Sequence, residues 1–280
     1  MYEPKYLPRL NEPLASFSNI RFEISRFNKY CSAVDPNADP LHVHKSLEIF
    51  FNVSADVSFL VNNKLYPVSK MSAVISRPDD IHMCIFNKAA VQEYICLWID
   101  ADFDSPAFSF LKKDGFYPLF SFEKDVMGRF ESLAELCQNG GTELEKAICL
   151  FRILHLFEKK QTTLPEKPIV PEAFQKILDD IHRNFATVRG VNDIVASHFI
   201  SSATLTRSFR KYLHTTPREY LESVRLSNAA KLLSDGASVT EACMNSGFSD
   251  CSHFILLFKK KFGTTPFKYK KSVTRDHSDV

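Results

Sequence analysis

Two short strings carry the side chains best suited to binding chemistry. LHVHKSLEIFF places His42, His44 and Glu48 close together, and RPDDIHMCIF adds His82. Residues two apart on a strand share a face, so His42 and His44 point the same way, and alternation puts Glu48 with them. Three readings stay open. Three imidazoles and a carboxylate suit a divalent transition metal. The same groups suit a small polar effector, because imidazole both donates and accepts hydrogen bonds. They also suit a purely structural network, since buried polar groups need partners. The effector reading is carried forward, with no cofactor expected. Asp79 and Asp80 read as turn residues, and Tyr94 and Trp98 as ordinary core, with lining of the barrel cavity as the alternative. No nucleophile triad and no phosphate-binding glycine loop is visible, and 8 glycines give little material for one. The chain is not expected to be an enzyme.

The elements that must position these residues are short strands. Between Ile20 and Ile99 the runs IRFEISRF, LEIFFNVSADVSFLV, KLYPVSKMSAVIS, IHMCIF and EYICLWI are rich in β-branched and aromatic residues, and Asn62–Asn63 signals a hairpin turn. About six to eight strands without helical periodicity predict an antiparallel barrel or jelly roll over 1–120. Helical spacing then appears in 121–160. Phe122, Val126, Phe130, Leu133 and Leu136 or Cys137 form one stripe, and Leu144, Ile148, Phe151 and Leu154 or His155 a second. ICLFRILHLF is apolar on nearly every side, which predicts burial on more than one face: the barrel on one, a second copy of the chain on the other. Residues 161–171, with three prolines in QTTLPEKPIVPE, read as a linker, and 274–280 as a polar tail.

Composition sets the class. Hydrophobic content is 45% and charged content 24%, as in an ordinary globular protein. No apolar run reaches the ~18 residues of a membrane span, and MYEPKYLPRLNEPL lacks the apolar core of a secretory signal. The seven cysteines are odd in number and scattered without a CxxC, so reduced, mostly buried thiols in a cytoplasmic protein are expected. Charge is divided unevenly: residues 1–171 carry 19 basic and 22 acidic side chains, residues 172–280 carry 16 and 11. A basic C-terminal part beside an acidic N-terminal part fits a nucleic-acid-binding module joined to something else.

That C-terminal part contains a degenerate repeat. Val191 and Ile194 recur at Val239 and Ala242, 48 residues on; Leu205, Phe209, Pro217 and Tyr220 recur at Phe254, Phe258, Pro266 and Tyr269, 49 residues on. Each copy reads as helix, tight turn, helix, at about 191–213 and 239–262. Ser201 or Ser202 caps the second helix of the first copy, with Gly247 at the turn and Ser249 as the cap in the second. Polar and basic residues face outward from the buried stripe. Two helix-turn-helix units would each place a helix in the DNA major groove.

GFSDCSHFILLFKKKFGTTPFKYKK, preceded by LTRSFRKYLHTTPREYLESVRLSNAAKLLSDG, resembles the signature of the AraC-type transcription regulators over about 100 residues. The resemblance implies two domains: an N-terminal all-β cupin-like barrel with a helical hairpin, and a C-terminal all-α domain over 172–273 whose two helix-turn-helix units are joined by a long helix. It implies double-stranded promoter DNA, a small-molecule effector, RNA polymerase and a second copy of the chain as partners. The 121–160 helices stand where the family's dimerisation helices do. It also carries over groove-facing positions: Ala203, Thr206, Arg207 and Arg210 in the first unit, and Asp250, Cys251, Ser252 and Ile255 in the second. Leu256 stands where the family often has arginine, leaving Lys259, Lys260 and Lys261 as the nearby basic residues. The string HxHxxxE followed by PxDxH resembles the cupin metal motif, with His42, His44, Glu48 and His82 at the ligand positions; Asp80 departs from it where glycine is expected, and Asn87 stands one residue late. Two alternatives follow: a metal-dependent cupin enzyme with a DNA-binding tail, and an effector-independent regulator whose barrel is only a dimer scaffold.

Overall fold

The structure, a computed structural model, describes residues 20–31, 41–54, 56–112, 116–123, 126–159 and 170–275. The N-terminal leader, nearly all of the expected linker and most of the polar tail lie outside the described residues. Among the described residues eight strands come first: β1 (Arg21–Cys31), β2 (Leu47–Asn52), β3 (Val57–Val61), β4 (Lys64–Val68), β5 (Ser72–Ser76), β6 (His82–Phe86), β7 (Ala90–Asp100) and β8 (Leu119–Ser121). They form two antiparallel sheets, ordered β1-β7-β2-β5-β8 and β4-β3-β6. The β3–β4 hairpin turns at Asn62 and Asn63, both at positive φ, as the asparagine pair predicts.

Alternation explains why β2 is buried at every residue. Phe50 faces the second sheet, packing on Phe59 of β3 and on Tyr94 of its own neighbour β7. Leu47, Ile49 and Phe51 face the other way, onto α1 (Met127–Gln138), α2 (Glu143–Lys159) and a short 3-10 helix over Pro106–Lys112. The outer face of the smaller sheet is covered too. Leu60, Leu65 and Ile85 join Leu41, Val43 and Ile81 in one apolar core with the C-terminal helices. The layers run helices, large sheet, small sheet, helices.

The predicted stripe of α1 holds at Val126, Phe130 and Leu133, with Leu136 rather than Cys137 continuing it, while that of α2 needs correction apart from Leu154. Cys137 is exposed, and α1 buries Phe130, Leu133 and Ala134. In α2 the inward residues are Ala147, Leu150, Ile153, Leu154 and Phe157, whereas Leu144, Ile148, Phe151 and His155 face out. An all-round apolar helix fits two stripes equally well, so periodicity could not choose between them.

The C-terminal part is α-helical: α3 (Glu172–Asn184), α4 (Val191–Ser197), α5 (Ser202–Leu213), α6 (Pro217–Ser234), α7 (Val239–Asn245), α8 (Cys251–Phe262) and α9 (Pro266–Arg275). Local chemistry fixes the starts. Ser201 caps α5 through the Thr204 amide. Thr216 with Glu219, and Ser238 with Glu241, close reciprocal capping boxes on α6 and α7, with Pro217 in the first turn of α6. The α8 cap is Asp250 rather than Ser249: its carboxylate accepts from the Ser252 and His253 amides. Both residue types cap well, which is why sequence missed by one. Gly247 takes φ +82°, and a Cβ there would come within 2.7 Å of the Ala186 carbonyl oxygen.

Candidate sensor site and DNA-reading face

His42, His44, Glu48 and His82 converge, and one ligand-type atom from each lies within 4.8 Å of the others. The route differs from the expected continuous strand. His42 sits on an isolated bridge to His82, their backbones exchanging hydrogen bonds of 2.9 and 3.0 Å. His44 follows in a non-strand segment, and Glu48 is the second residue of β2. His44, Glu48 and His82 are all buried.

Carbonyl groups settle which ring nitrogens hold protons. His44 donates Nδ1–H to the Ser46 carbonyl at 3.0 Å, and His82 donates Nδ1–H to the Asp80 carbonyl at 2.8 Å. A carbonyl can only accept, so both Nδ1 atoms are protonated. The two Nε2 atoms then meet one carboxylate oxygen, Glu48 Oε2, at 3.0 and 3.1 Å. In neutral rings these nitrogens carry lone pairs. The convergence of lone pairs on a carboxylate calls for positive charge: protons on the rings or a cation among them. Burial opposes charge on both partners. Even so, hydrogen bonds from His44 and His82 hold Glu48 well below its ordinary value, and Glu48 holds His82 above its own.

Trp98 completes the site: its indole N–H donates to Glu48 Oε2 at 2.8 Å. Sequence reads it first as core, with cavity lining as the alternative; its carboxylate partner is what sequence did not supply. The signal was in the register, since β7 pairs Trp98 directly with Glu48. Tyr94 is core as expected, stacked on Phe27 and Phe50. Asp80 is more than a turn residue; it is buried and accepts from Asn62 Nδ2 at 2.8 Å and from the Arg77 amide at 2.9 Å.

Next to the site the barrel is tied to the helices. The Leu41 carbonyl, one residue before His42, accepts hydrogen bonds from Lys261 Nζ of α8 and Ser227 Oγ of α6. Lys45 pairs with Asp79 and with Asp235 at the end of α6. Gln175 of α3 donates to the Asn63 carbonyl at 2.8 Å. A cavity of about 540 Å³ opens along this seam, lined by Tyr66, Arg77 and Asp79 from the barrel and His182, Asn228 and Lys231 from the helices. None of these cross-links was legible in the sequence.

On the opposite face of α5, Ala203, Thr206, Arg207 and Arg210 line one open groove with Ser202 and Lys211. The second set is less uniform. Ser252, Ile255 and Lys259 are exposed on α8. Asp250 is also exposed, but its carboxylate is engaged as the helix cap. The Cys251 sulfur turns inward to Cys243 Sγ, 2.7 Å away. Lys261, unlike Lys259, is directed at the barrel.

A family model described as a helix-turn-helix domain matches residues 195–272. The chain is 27% identical over 224 residues to YbfI of Bacillus subtilis, an HTH-type transcriptional regulator, covering 76% of this chain and 80% of that protein. It is 25% identical over 263 residues to RhaS of Salmonella schwarzengrund, an HTH-type transcriptional activator, covering 84% and 90%. A crystal structure of ToxT from Vibrio cholerae overlaps 91% of this chain and 98% of its own at a TM-score of 0.40 and 16% identity, a level that decides nothing about ligand or mechanism. Residues 195–272 thus match a helix-turn-helix domain behind a β-rich N-terminal part, and along most of its length the chain is similar to HTH-type transcriptional regulators.

Proposed function

We propose that this regulator is controlled through its barrel: occupancy of the site at His42, His44, Glu48 and His82 sets how the helical part is held, and so how it binds promoter DNA. The carrying observation is the Leu41 carbonyl, which adjoins His42 in sequence and is gripped by α6 and α8. Regulation requires an effector that binds one arrangement of the two parts better than another; tight binding alone shifts nothing. The protein acts in the cytoplasm, with 1–120 as sensor, 121–160 for dimerisation, 161–171 as linker and 172–273 as the DNA-binding part, and it contacts RNA polymerase as an activator. Leu144, Ile148 and Phe151, three apolar side chains along the exposed face of α2, support the homodimer.

The test uses the intact chain and a DNA site selected from a random library. His44→Ala and Glu48→Ala should abolish effector-dependent changes in DNA affinity while leaving basal binding in place. Unchanged effector response in both variants would move the sensor elsewhere, with the cavity between barrel and helices as the next place to examine. For the dimer, sedimentation should show two copies at micromolar concentration, and Phe151→Glu should give monomers.

A second reading of the occupant is favoured by the ring protonation. Metal-binding histidines commonly donate their other ring N–H to a backbone carbonyl, as His44 and His82 do here. The donor set fits a divalent transition metal held by His42, His44, Glu48 and His82, and such an ion would supply the positive charge that the cluster requires. Elemental analysis of purified protein separates the readings: stoichiometric iron, manganese or zinc that is lost in Glu48→Ala supports the metal, and its absence leaves the polar effector. A stoichiometric metal would also revive the alternative of a metal-dependent cupin enzyme with a DNA-binding tail.

A further inference from the structure

The cysteines of the second helix-turn-helix unit have no part in the reading above. Cys243 lies in α7 and is fully buried; Cys251 is the first residue of α8 and is half-buried. The two sulfurs stand 2.7 Å apart, with both thiols free. That is far inside ordinary contact between sulfurs and short of a disulfide bond, which measures about 2.05 Å. The pair spans the turn at Gly247 and joins the unit's supporting helix to its outward-facing one.

We propose that Cys243 and Cys251 form a reversible disulfide when the protein meets peroxide, and that the bond weakens DNA reading by the second unit. With peroxide the chemistry balances in two steps. The Cys251 sulfur attacks one peroxide oxygen, giving a sulfenic acid and one water. The Cys243 sulfur then attacks the sulfenic sulfur, forming the S–S bond; the hydroxyl leaves with the thiol proton as a second water. Two thiols are oxidised by two electrons and one peroxide is reduced to two waters. Access sets the order, because the half-buried sulfur meets the oxidant first. Burial pushes the Cys243 thiol up to about 12, so it is the weaker first nucleophile and reacts second, losing its proton as it attacks the sulfenic sulfur.

The consequence follows from position. Asp250 and Cys251 start α8, with Ser252 and Ile255 exposed just beyond. Closing the last fraction of an ångström between the sulfurs draws the start of α8 toward α7 and shifts the groove-facing residues that follow. This part rests on the DNA-binding reading of α8; formation of the bond does not.

The full-length protein is treated with hydrogen peroxide, quenched and digested without reduction. The expected result is a peptide pair joining Cys243 to Cys251, and about tenfold weaker binding to the selected DNA site, on the scale of one lost base contact, restored by dithiothreitol. Cys243→Ala should keep the reduced protein's affinity and lose the oxidant response. Cys251→Ser should lose the response whatever its own affinity. Mixed disulfides to the exposed Cys137 without the 243–251 link would overturn the proposal. So would a 243–251 link that leaves DNA affinity unchanged. Reduced protein that binds no DNA while the link still forms would instead count against the DNA-binding reading.

Discussion

The two helix-turn-helix units share a skeleton and diverge in what they attach to it. Phe209 and Phe258 are both fully buried, and each packs on a tyrosine 11 residues later, Tyr220 or Tyr269, with ring centroids 5.3 and 5.4 Å apart. The positive-φ positions also correspond, but the first unit fills them with Phe199 and His214, the second with Gly247 and Gly263. The outward surfaces differ more. α5 presents Arg207, Arg210 and Lys211; α8 presents Ser252, Ile255 and Leu256, and directs Lys261 into the barrel seam. The first unit exposes a basic face, whereas the second exposes a mixed one that turns basic only at Lys259 and Lys260. Duplication preserved the packing and released the surface.

The largest test of the shared skeleton is truncation of its core. Phe209→Ala and Phe258→Ala should each destabilise by about 3–5 kcal/mol in denaturant unfolding. Costs that differ severalfold would mean the units are not equivalent inside. The surface asymmetry predicts that Arg207→Ala costs ~1–3 kcal/mol at a cognate DNA site and much less on random DNA, with Ile255→Ala below ~1 kcal/mol. Equal losses on both DNAs would make Arg207 a phosphate anchor. The turn positions give a smaller contrast. Gly247→Ala should destabilise by roughly 1–2 kcal/mol, since its conformation and the nearby Ala186 backbone both resist a Cβ. Phe199→Gly should stay within about 0.5 kcal/mol, because relief of an unfavourable φ is offset by backbone entropy.

The mildest contrast is a slope with pH. Burial lowers Lys261 to about 7, with Glu222 opposing, whereas an unfolded lysine titrates near 10.4. Between those values the unfolded chain holds the extra proton, so stability should rise with pH through that window; below about 7 both states are protonated and the slope vanishes. Lys261→Met should flatten it, and Lys211→Met, on the exposed face of α5, should not.

Much of this architecture was legible in the sequence, and the gaps have physical causes. The 48- and 49-residue offsets located both units because core packing repeats wherever the fold does. His42, His44, Glu48 and His82 were found together because imidazoles and a carboxylate so close in a β-rich segment stand out, although the backbone between them is not the strand that alternation suggested. The partner of Trp98 was hidden because an apolar ring in a strand fits core and cavity wall alike until its N–H finds a carboxylate across the register. The thiol pair and the grip of Lys261 on Leu41 join residues on separate elements, and no local period encodes such a meeting. In α2 the failure was one of excess: with apolar residues on every side, Leu144 and Leu150 were equally eligible for the core.

The bond from Lys261 to the Leu41 carbonyl spans 220 residues of chain. Contacts so distant in sequence form late, because the intervening loop must close before they are made. During synthesis the barrel emerges and can fold long before α8 leaves the ribosome. A nascent chain therefore carries its β-rich half before the helices that clasp it, and the connection between the two halves is made only as the last turns of the protein appear.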